Sequence, residues 1–329
     1  MDFLWSGGLT GKGRTPGDVM SNPYLFIVGC PRSGTTLLQR MVNAHPDIAI
    51  TPESHWIPRL YVKAWALTSE GRVKPKLIRR LLGHPKFGRL KISPEEIVGW
   101  TGNGKQISYG NLVSRIFDLY GERQGKPLVG DKTPDYVRSI ETLHRLWPSA
   151  RFVHVIRDGR DVALSMMDWP KSCPKPGDFA TWREDRVSTA ALWWEVNVRM
   201  GRQAGESIGH ELYYEVRYES LVSRPREESA ALCGFLGVPY SGAMLRFYEV
   251  AATSDPGLET RRAHLPVTPG LRDWRAELSP QDNERFEAAV AALLDELGYA
   301  RVVPRLRPEL LDHAARIRHL LAEDPRARD

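Results

Sequence analysis

The residues best suited to chemistry lie in one stretch, Tyr24 to Glu53, which reads YLFIVGCPRSGTTLLQRMVNAHPDIAITPE. An apolar run, Tyr24 to Val28, leads into Gly29-Cys30-Pro31-Arg32-Ser33-Gly34-Thr35-Thr36, and a helical pattern follows with Leu37, Leu38, Met41 and Val42 on one face. A strand feeding a glycine-bounded loop and a helix N-terminus makes an anion cradle. Backbone N–H groups of the loop and first turn point at the anion, and the helix dipole favours negative charge there. The spacing is that of a nucleotide-binding P-loop, GxxxxGK[ST], but Thr35 stands where that loop needs lysine. An ATP- or GTP-dependent small-molecule kinase would lose its contact to the β- and γ-phosphates, which makes it the alternative reading and not the leading one.

A second stretch, Arg151 to Met166, reads RFVHVIRDGRDVALSM and places Arg157 at a strand end with Ser165 eight residues on. Together the two resemble the cofactor motifs of sulfotransferases that use 3′-phosphoadenosine 5′-phosphosulfate (PAPS). Pro31 to Leu37 is similar to that family's 5′-phosphosulfate loop, and Arg157 with Ser165 to its 3′-phosphate site. The resemblance covers roughly Asn22 to Tyr299 and is strongest to the branch with tyrosylprotein sulfotransferases and many bacterial enzymes.

The resemblance implies a P-loop NTPase-like three-layer α/β sandwich, PAPS as co-substrate, adenosine 3′,5′-bisphosphate as product and no metal. It implies that Arg32, Ser33, Gly34, Thr35 and Thr36 hold the 5′-phosphosulfate and that Arg157 and Ser165 clamp the 3′-phosphate. Arg32 and Lys132 would meet the sulfuryl and bridging oxygens, where charge-assisted hydrogen bonds are strong. Tyr218 matches a family tyrosine near the cofactor; a core tyrosine with a satisfied hydroxyl is the ordinary alternative.

For the base, the resemblance implies a choice by register. Small-molecule sulfotransferases use a histidine two residues after a lysine, but here Lys132 is followed at that distance by Pro134. Tyrosylprotein-type enzymes use a glutamate twenty-one residues after the loop arginine, and Arg32 plus twenty-one is Glu53. A carboxylate within hydrogen-bond reach of the acceptor can take its proton. The competing role for Glu53 is to cap the helix that follows. His55 is the other candidate base, with a solvated or packed histidine as its ordinary reading. A late Arg-Lys-Gly motif of many family members is missing between Thr260 and Leu278, where Arg261, Arg262 or Arg272 could serve. Asp158, Arg160 and Asp161 read as loop and capping residues, Arg160 also as a further ligand candidate.

Five β-like runs position these groups: Tyr24–Val28, Asp47–Ile50, Pro127–Val129, Phe152–Ile156 and Leu212–Val216. Each is followed by helical periodicity, which predicts a parallel β-sheet with helices on both faces. Open sheets of this kind bind ligands at the carboxyl ends of their strands. The five runs end at Arg32 and the Thr pair, Glu53, Asp131-Lys132, Arg157, and Arg217-Tyr218. Helices are expected over Trp56–Leu82, Glu95–Tyr120, Phe179–Arg202, Pro225–Leu236, Pro280–Leu297 and the tail from Arg305. The expected organisation is a leader over 1–21, one sulfotransferase-like domain over 22–300 with helical acceptor-site insertions at about 54–120 and 168–206, and a helical tail over 301–329. Trp56, Trp65, Trp169 and Trp182 are candidate acceptor-pocket residues; Trp193 and Trp194 read as core.

The chain has 329 residues and a formal net charge of +6, from 46 Lys and Arg against 40 Asp and Glu. No Lys/Arg block with interleaved aromatics marks a nucleic-acid binder, and a doubly phosphorylated, sulfated co-substrate accounts for the excess. Cys30, Cys173 and Cys233 lack the spacing of a disulfide framework or zinc site. No stretch has the length and polarity of a membrane span, and the first twenty residues lack the apolar core of a signal peptide. These features point to a cytoplasmic enzyme. Its expected partner is a small-molecule or peptidyl hydroxyl acceptor, with the oligomeric state left open and a homodimer among the options.

Overall fold

In a computed structural model of the chain, five strands form one parallel sheet in the order β2-β3-β1-β4-β5. They are β1 (Leu25–Gly29), β2 (Ile48–Thr51), β3 (Leu128–Lys132), β4 (Arg151–Ile156) and β5 (Tyr213–Arg217). The structure describes residues 23–63, 65–101, 106–168, 179–249, 265–268, 270 and 272–324. The expected leader 1–21, Trp169, Cys173, Arg261, Arg262 and 325–329 lie outside them.

The period-2 alternation of β1 divides the core. Tyr24, Phe26 and Val28 join Phe152 and the helix Tyr109–Gln124 on one face. Leu25 and Ile27 join Val153, Val155, Val216 and the helices Thr35–Asn43 and Pro225–Leu236 on the other. On the first face Phe26 stacks on Phe152 at 5.5 Å, and Tyr24 meets Phe117 edge-on at 5.2 Å. Each such pair adds about 0.5–1.5 kcal/mol beyond its burial. This is the expected parallel sheet covered on both faces, the P-loop-like three-layer arrangement.

β2 and β3 lie to one side of β1, and β4 and β5 to the other. The connections therefore diverge at the carboxyl end of β1, where a ligand crevice forms. Register keeps the functional ends level: Ile27 pairs with Lys132, Thr51 with Asp131, Gly29 with Val155 and Ile156 with Arg217.

Three helical expectations are subdivided. The stretch Trp56–Leu82 holds only Ile57–Tyr61 and Pro75–Leu82, because the chain turns at Gly71 (φ 73°) and Pro75 opens a new helix. Glu95–Tyr120 is split into Pro94–Thr101 and Tyr109–Gln124, the second started by the Ser108 side chain accepting from Asn111 N. Phe179–Arg202 breaks at Asp185, which accepts from Val187 N and Ser188 N to cap a helix reaching Ile208. Pro225–Leu236 matches its expectation, and the tail helix is Pro308–Glu323. No described helix is long and apolar enough to cross a membrane.

Candidate active site

The loop after β1 is built for close approach to an anion. Ser33 N donates to Cys30 O at 3.1 Å, Arg32 takes a left-handed φ of 78° and Gly34 one of 96°. Gly34 is the N-cap of Thr35–Asn43 and supplies no side-chain cap, so that, with Leu37 N donating to Gly34 O, the N–H groups of Thr35 and Thr36 open the helix uncapped. Ser33 Oγ is buried without a protein hydrogen-bond partner. Donors placed in this way suit a phosphate or sulfate oxygen.

The second motif arrives at the same place. Arg32 Nε donates to Ser165 Oγ at 2.8 Å, so the two motifs touch directly. The Arg157 guanidinium lies 4.3 Å from the centre of the Tyr218 ring. That ring in turn presses on Gly34, where an added Cβ would sit 2.3 Å from Cδ2. Loop, tyrosine and arginine are thus stacked in sequence along the sheet edge. Arg157 Nη2 binds Asp161 Oδ2 at 3.0 Å, while its buried Nε has no partner. Burial raises the Asp161 carboxyl, outweighing the attraction of Arg157. The backbone of Arg157 is held by Trp194, whose Nε1 donates to its carbonyl at 3.1 Å. Gly159 permits this packing, since a Cβ there would lie 2.4 Å from the Trp194 ring.

Arg160 is not a ligand candidate. It is fully buried, paired with Asp158 at 2.8 Å and Glu287 at 3.3 Å, donating to Ala300 O and stacked 3.6 Å over Trp274. Arg272 pairs with Asp168 at 2.7 Å and Glu277 at 3.4 Å, past the C-terminal end of the helix Gly159–Met167.

On the other side of the loop, Lys132 Nζ donates to Glu53 Oε1 at 2.5 Å and to Thr36 Oγ1 at 3.4 Å. Glu53 Oε2 meets His55 Nε2 at 3.0 Å. Burial pushes the Glu53 carboxyl up, but the His55 hydrogen bond and the Lys132 charge together hold it well below the usual carboxylate range. Glu53 is not a helix cap: the next helix starts at Ile57 with Trp56 as N-cap. The segment carrying Glu53 is pinned from below. Ser54 N donates to Thr133 Oγ1 at 3.1 Å, Ser54 Oγ meets Tyr136 OH at 2.5 Å, and Ile57 N donates to the same hydroxyl at 3.1 Å. Trp56 is buried against Phe87, in the core and not on an acceptor pocket wall.

Asp131 is fully buried beneath this segment, its Oδ2 accepting from Thr51 Oγ1 at 3.0 Å. Burial raises its carboxyl from 3.8 to about 6, against the pull of the Thr133, Ser54 and Thr51 hydroxyls. The folded chain therefore prefers Asp131 protonated. This stabilisation is complete below the unfolded value and is lost as pH rises through about 6. The loss is on the order of 3 kcal/mol at most. Asp131→Asn, uncharged throughout, is expected to melt above wild type at pH 8 and to lose that advantage at pH 4. Equal melting temperatures at pH 8 would contradict the cost assigned to the buried carboxylate.

A basic rim has no counterpart in the sequence expectations. Between Glu70 and Glu95 the chain carries eight Lys or Arg and no acidic residue. Of these, Arg72, Lys76, Arg79, Arg80, Arg89 and Lys91 are exposed, and within Pro75–Leu82 it is Leu77, Ile78 and Leu81 that are buried. His84, within this stretch, has its imidazole held below its ordinary value by burial and by the charges of His55, Arg59, Arg80 and Lys86. The charge run itself was the available signal.

A model of the sulfotransferase family matches residues 23–242. Protein-tyrosine sulfotransferase 1 of Danio rerio is 28% identical over 284 residues, covering 84% of this chain and 72% of that one. The nodulation protein NoeE of Sinorhizobium fredii is 29% identical over 314 residues, covering 88% and 69%. The sulfotransferase domain of the Synechococcus PCC 7002 olefin synthase superposes with a TM-score of 0.56 at 24% identity, over 95% of this chain and 99% of that one. The last likeness is one of fold. With the family model spanning most of the chain, and both motifs meeting at one sheet edge, this protein belongs to the sulfotransferase family and is a sulfotransferase.

Proposed function

We propose that the chain transfers the sulfuryl group of PAPS to a hydroxyl acceptor, with Glu53 as general base. The observation that carries the reading is the Glu53–Lys132–Thr36 contact, which sets a carboxylate and an ammonium side by side at the end of the anion loop. The acceptor O–H passes its proton to Glu53 as the oxygen attacks sulfur. The bond from sulfur to the bridging oxygen breaks, and adenosine 3′,5′-bisphosphate leaves. Positioning and charge stabilisation dominate such transfers. Lys132 and the loop N–H groups suit the charge growing on the leaving phosphate. As Lys132 is drawn to the donor's oxygens its hold on Glu53 weakens, and the carboxylate becomes the stronger base. Arg157 and Ser165 suit the 3′-phosphate, the group that separates this donor from ATP.

For the acceptor, the basic rim favours a molecule bearing negative charge near its hydroxyl. A peptidyl tyrosine among acidic residues is one such acceptor, as the names of several relatives suggest; an anionic sugar, lipid or other small molecule is another. Thermal melts test the donor site. Adenosine 3′,5′-bisphosphate without Mg²⁺ is expected to stabilise the chain, by about 2.7 kcal/mol at a hundredfold excess over Kd. Stabilisation by Mg-ATP and not by the bisphosphate would restore the kinase reading.

A further inference from the structure

We propose that His55 is the positioning residue of Glu53, the group that fixes the carboxylate while sulfuryl transfer proceeds; this rests on the reading of Glu53 as base. The torsion that orients a glutamate carboxyl is broad and poorly selected by local sterics. Something must pin it if the accepting oxygen is to be held in place. Here Oε1 is held by Lys132 at 2.5 Å and Oε2 by His55 at 3.0 Å. Lys132 is the partner that the donor's oxygens compete for. Lys132 also reaches Thr36 of the anion loop, whereas His55 sits on the Ser54–Ile57 turn and is left as the fixed contact.

The rest of the surroundings are consistent with a ring placed for this purpose. The groups facing it are Glu53 from its own segment, Asp135 from the turn after β3, Asp131 at the end of β3 and His84 beyond Pro75–Leu82. Asp135 Oδ2 lies 3.9 Å from Nδ1, on the side of the ring away from Glu53. A carboxylate only accepts, so the Glu53 contact assigns a proton to Nε2. The backbone points the same way. His55 holds a left-handed φ of 56°, a conformation that is strained for a non-glycine residue. The hydrogen bonds of Ser54 and Ile57 to Thr133 and Tyr136 hold that turn in place. A merely solvated histidine needs none of this.

The strain makes the test clean, because His55→Gly relieves the backbone while deleting the donor. Three variants are compared: His55→Gly, His55→Asn, whose amide stops near the position of Nδ1, and His55→Gln, whose amide nitrogen reaches that of Nε2. Turnover of PAPS is followed with 4-methylphenol as acceptor and with water alone. The Gly and Asn variants are expected to lose about 10- to 100-fold in kcat with KM for PAPS within about twofold, the scale of a misplaced catalytic group. Their melting temperatures should stay close to that of the wild type, because relief of the left-handed backbone opposes the loss of the hydrogen bond to Glu53. His55→Gln, and His55→Gly supplied with free imidazole, should recover most of the rate. Wild-type kcat in His55→Gly, or an equal loss in all three variants, overturns the proposal. In a Glu53→Gln background His55→Gly should cost nothing further. If Glu53→Gln turns over normally, the base reading itself has failed; if it is inactive while His55→Gly is not, only the positioning role has.

Discussion

Glu53→Gln is expected to reduce kcat by about 10²- to 10⁴-fold, the usual contribution of a positioned base. Affinity for adenosine 3′,5′-bisphosphate should stay within a few-fold of wild type, because glutamine keeps an oxygen for Lys132 and the donor-binding groups are untouched. Stability supplies an independent check. The wild-type carboxyl is held low by His55 and Lys132 against the opposing effect of burial. A depressed carboxyl stabilises the fold above its unfolded value of 4.5, and that stability is lost as pH falls further. The variant should therefore melt below wild type at pH 7, with the gap closing under acid conditions. Calorimetric melts from pH 3 to pH 8 read this directly. Undiminished turnover would move the base elsewhere, whatever the melts show.

Arg157→Ala should act on the donor instead. Charge-assisted hydrogen bonds contribute about 1.5–3 kcal/mol each, so affinity for the bisphosphate is expected to fall by one to two orders of magnitude. Adenosine 5′-phosphate, which lacks the 3′-phosphate, should lose little. The discriminating quantity is the ratio of the two affinities by titration calorimetry, and an unchanged ratio would remove Arg157 from the 3′-phosphate site. Arg157 also neutralises Asp161, whose carboxyl burial already raises. Removing the arginine leaves that largely buried carboxyl without its ion-pair partner, though still accepting from Trp274 N. The double variant Arg157→Ala/Asp161→Asn separates the two effects: it should recover stability but not the preference for the bisphosphate.

Local pattern fixed a good deal of this protein. Strand periodicity located all five strands to within a few residues, and parallel topology then carried Arg32, Glu53, Lys132, Arg157 and Tyr218 to one edge. The helices were less legible where they mattered for the acceptor side. Apolar spacing runs on through Trp56–Leu82, but a left-handed glycine and a proline interrupt it. Arg160 illustrates the other limit. Its place beside Arg157 in the motif gave no sign that Glu287 and Trp274, far along the chain, would enclose it.

The sequence alone determined which residues stand at the carboxyl ends of the strands, and in what register Glu53 follows the loop. Strand and turn preferences are set by sterics within a few residues, so they can be read from the chain. Only the tertiary structure decided which of those residues meet. Arg32 reaching Ser165, Arg157 packing on the tyrosine that covers Gly34, and His55 bonded to Glu53 depend on the order of strands and on backbone strain held by distant hydroxyls. Contacts between sequence-remote groups are fixed by how whole elements pack, and no local pattern encodes them.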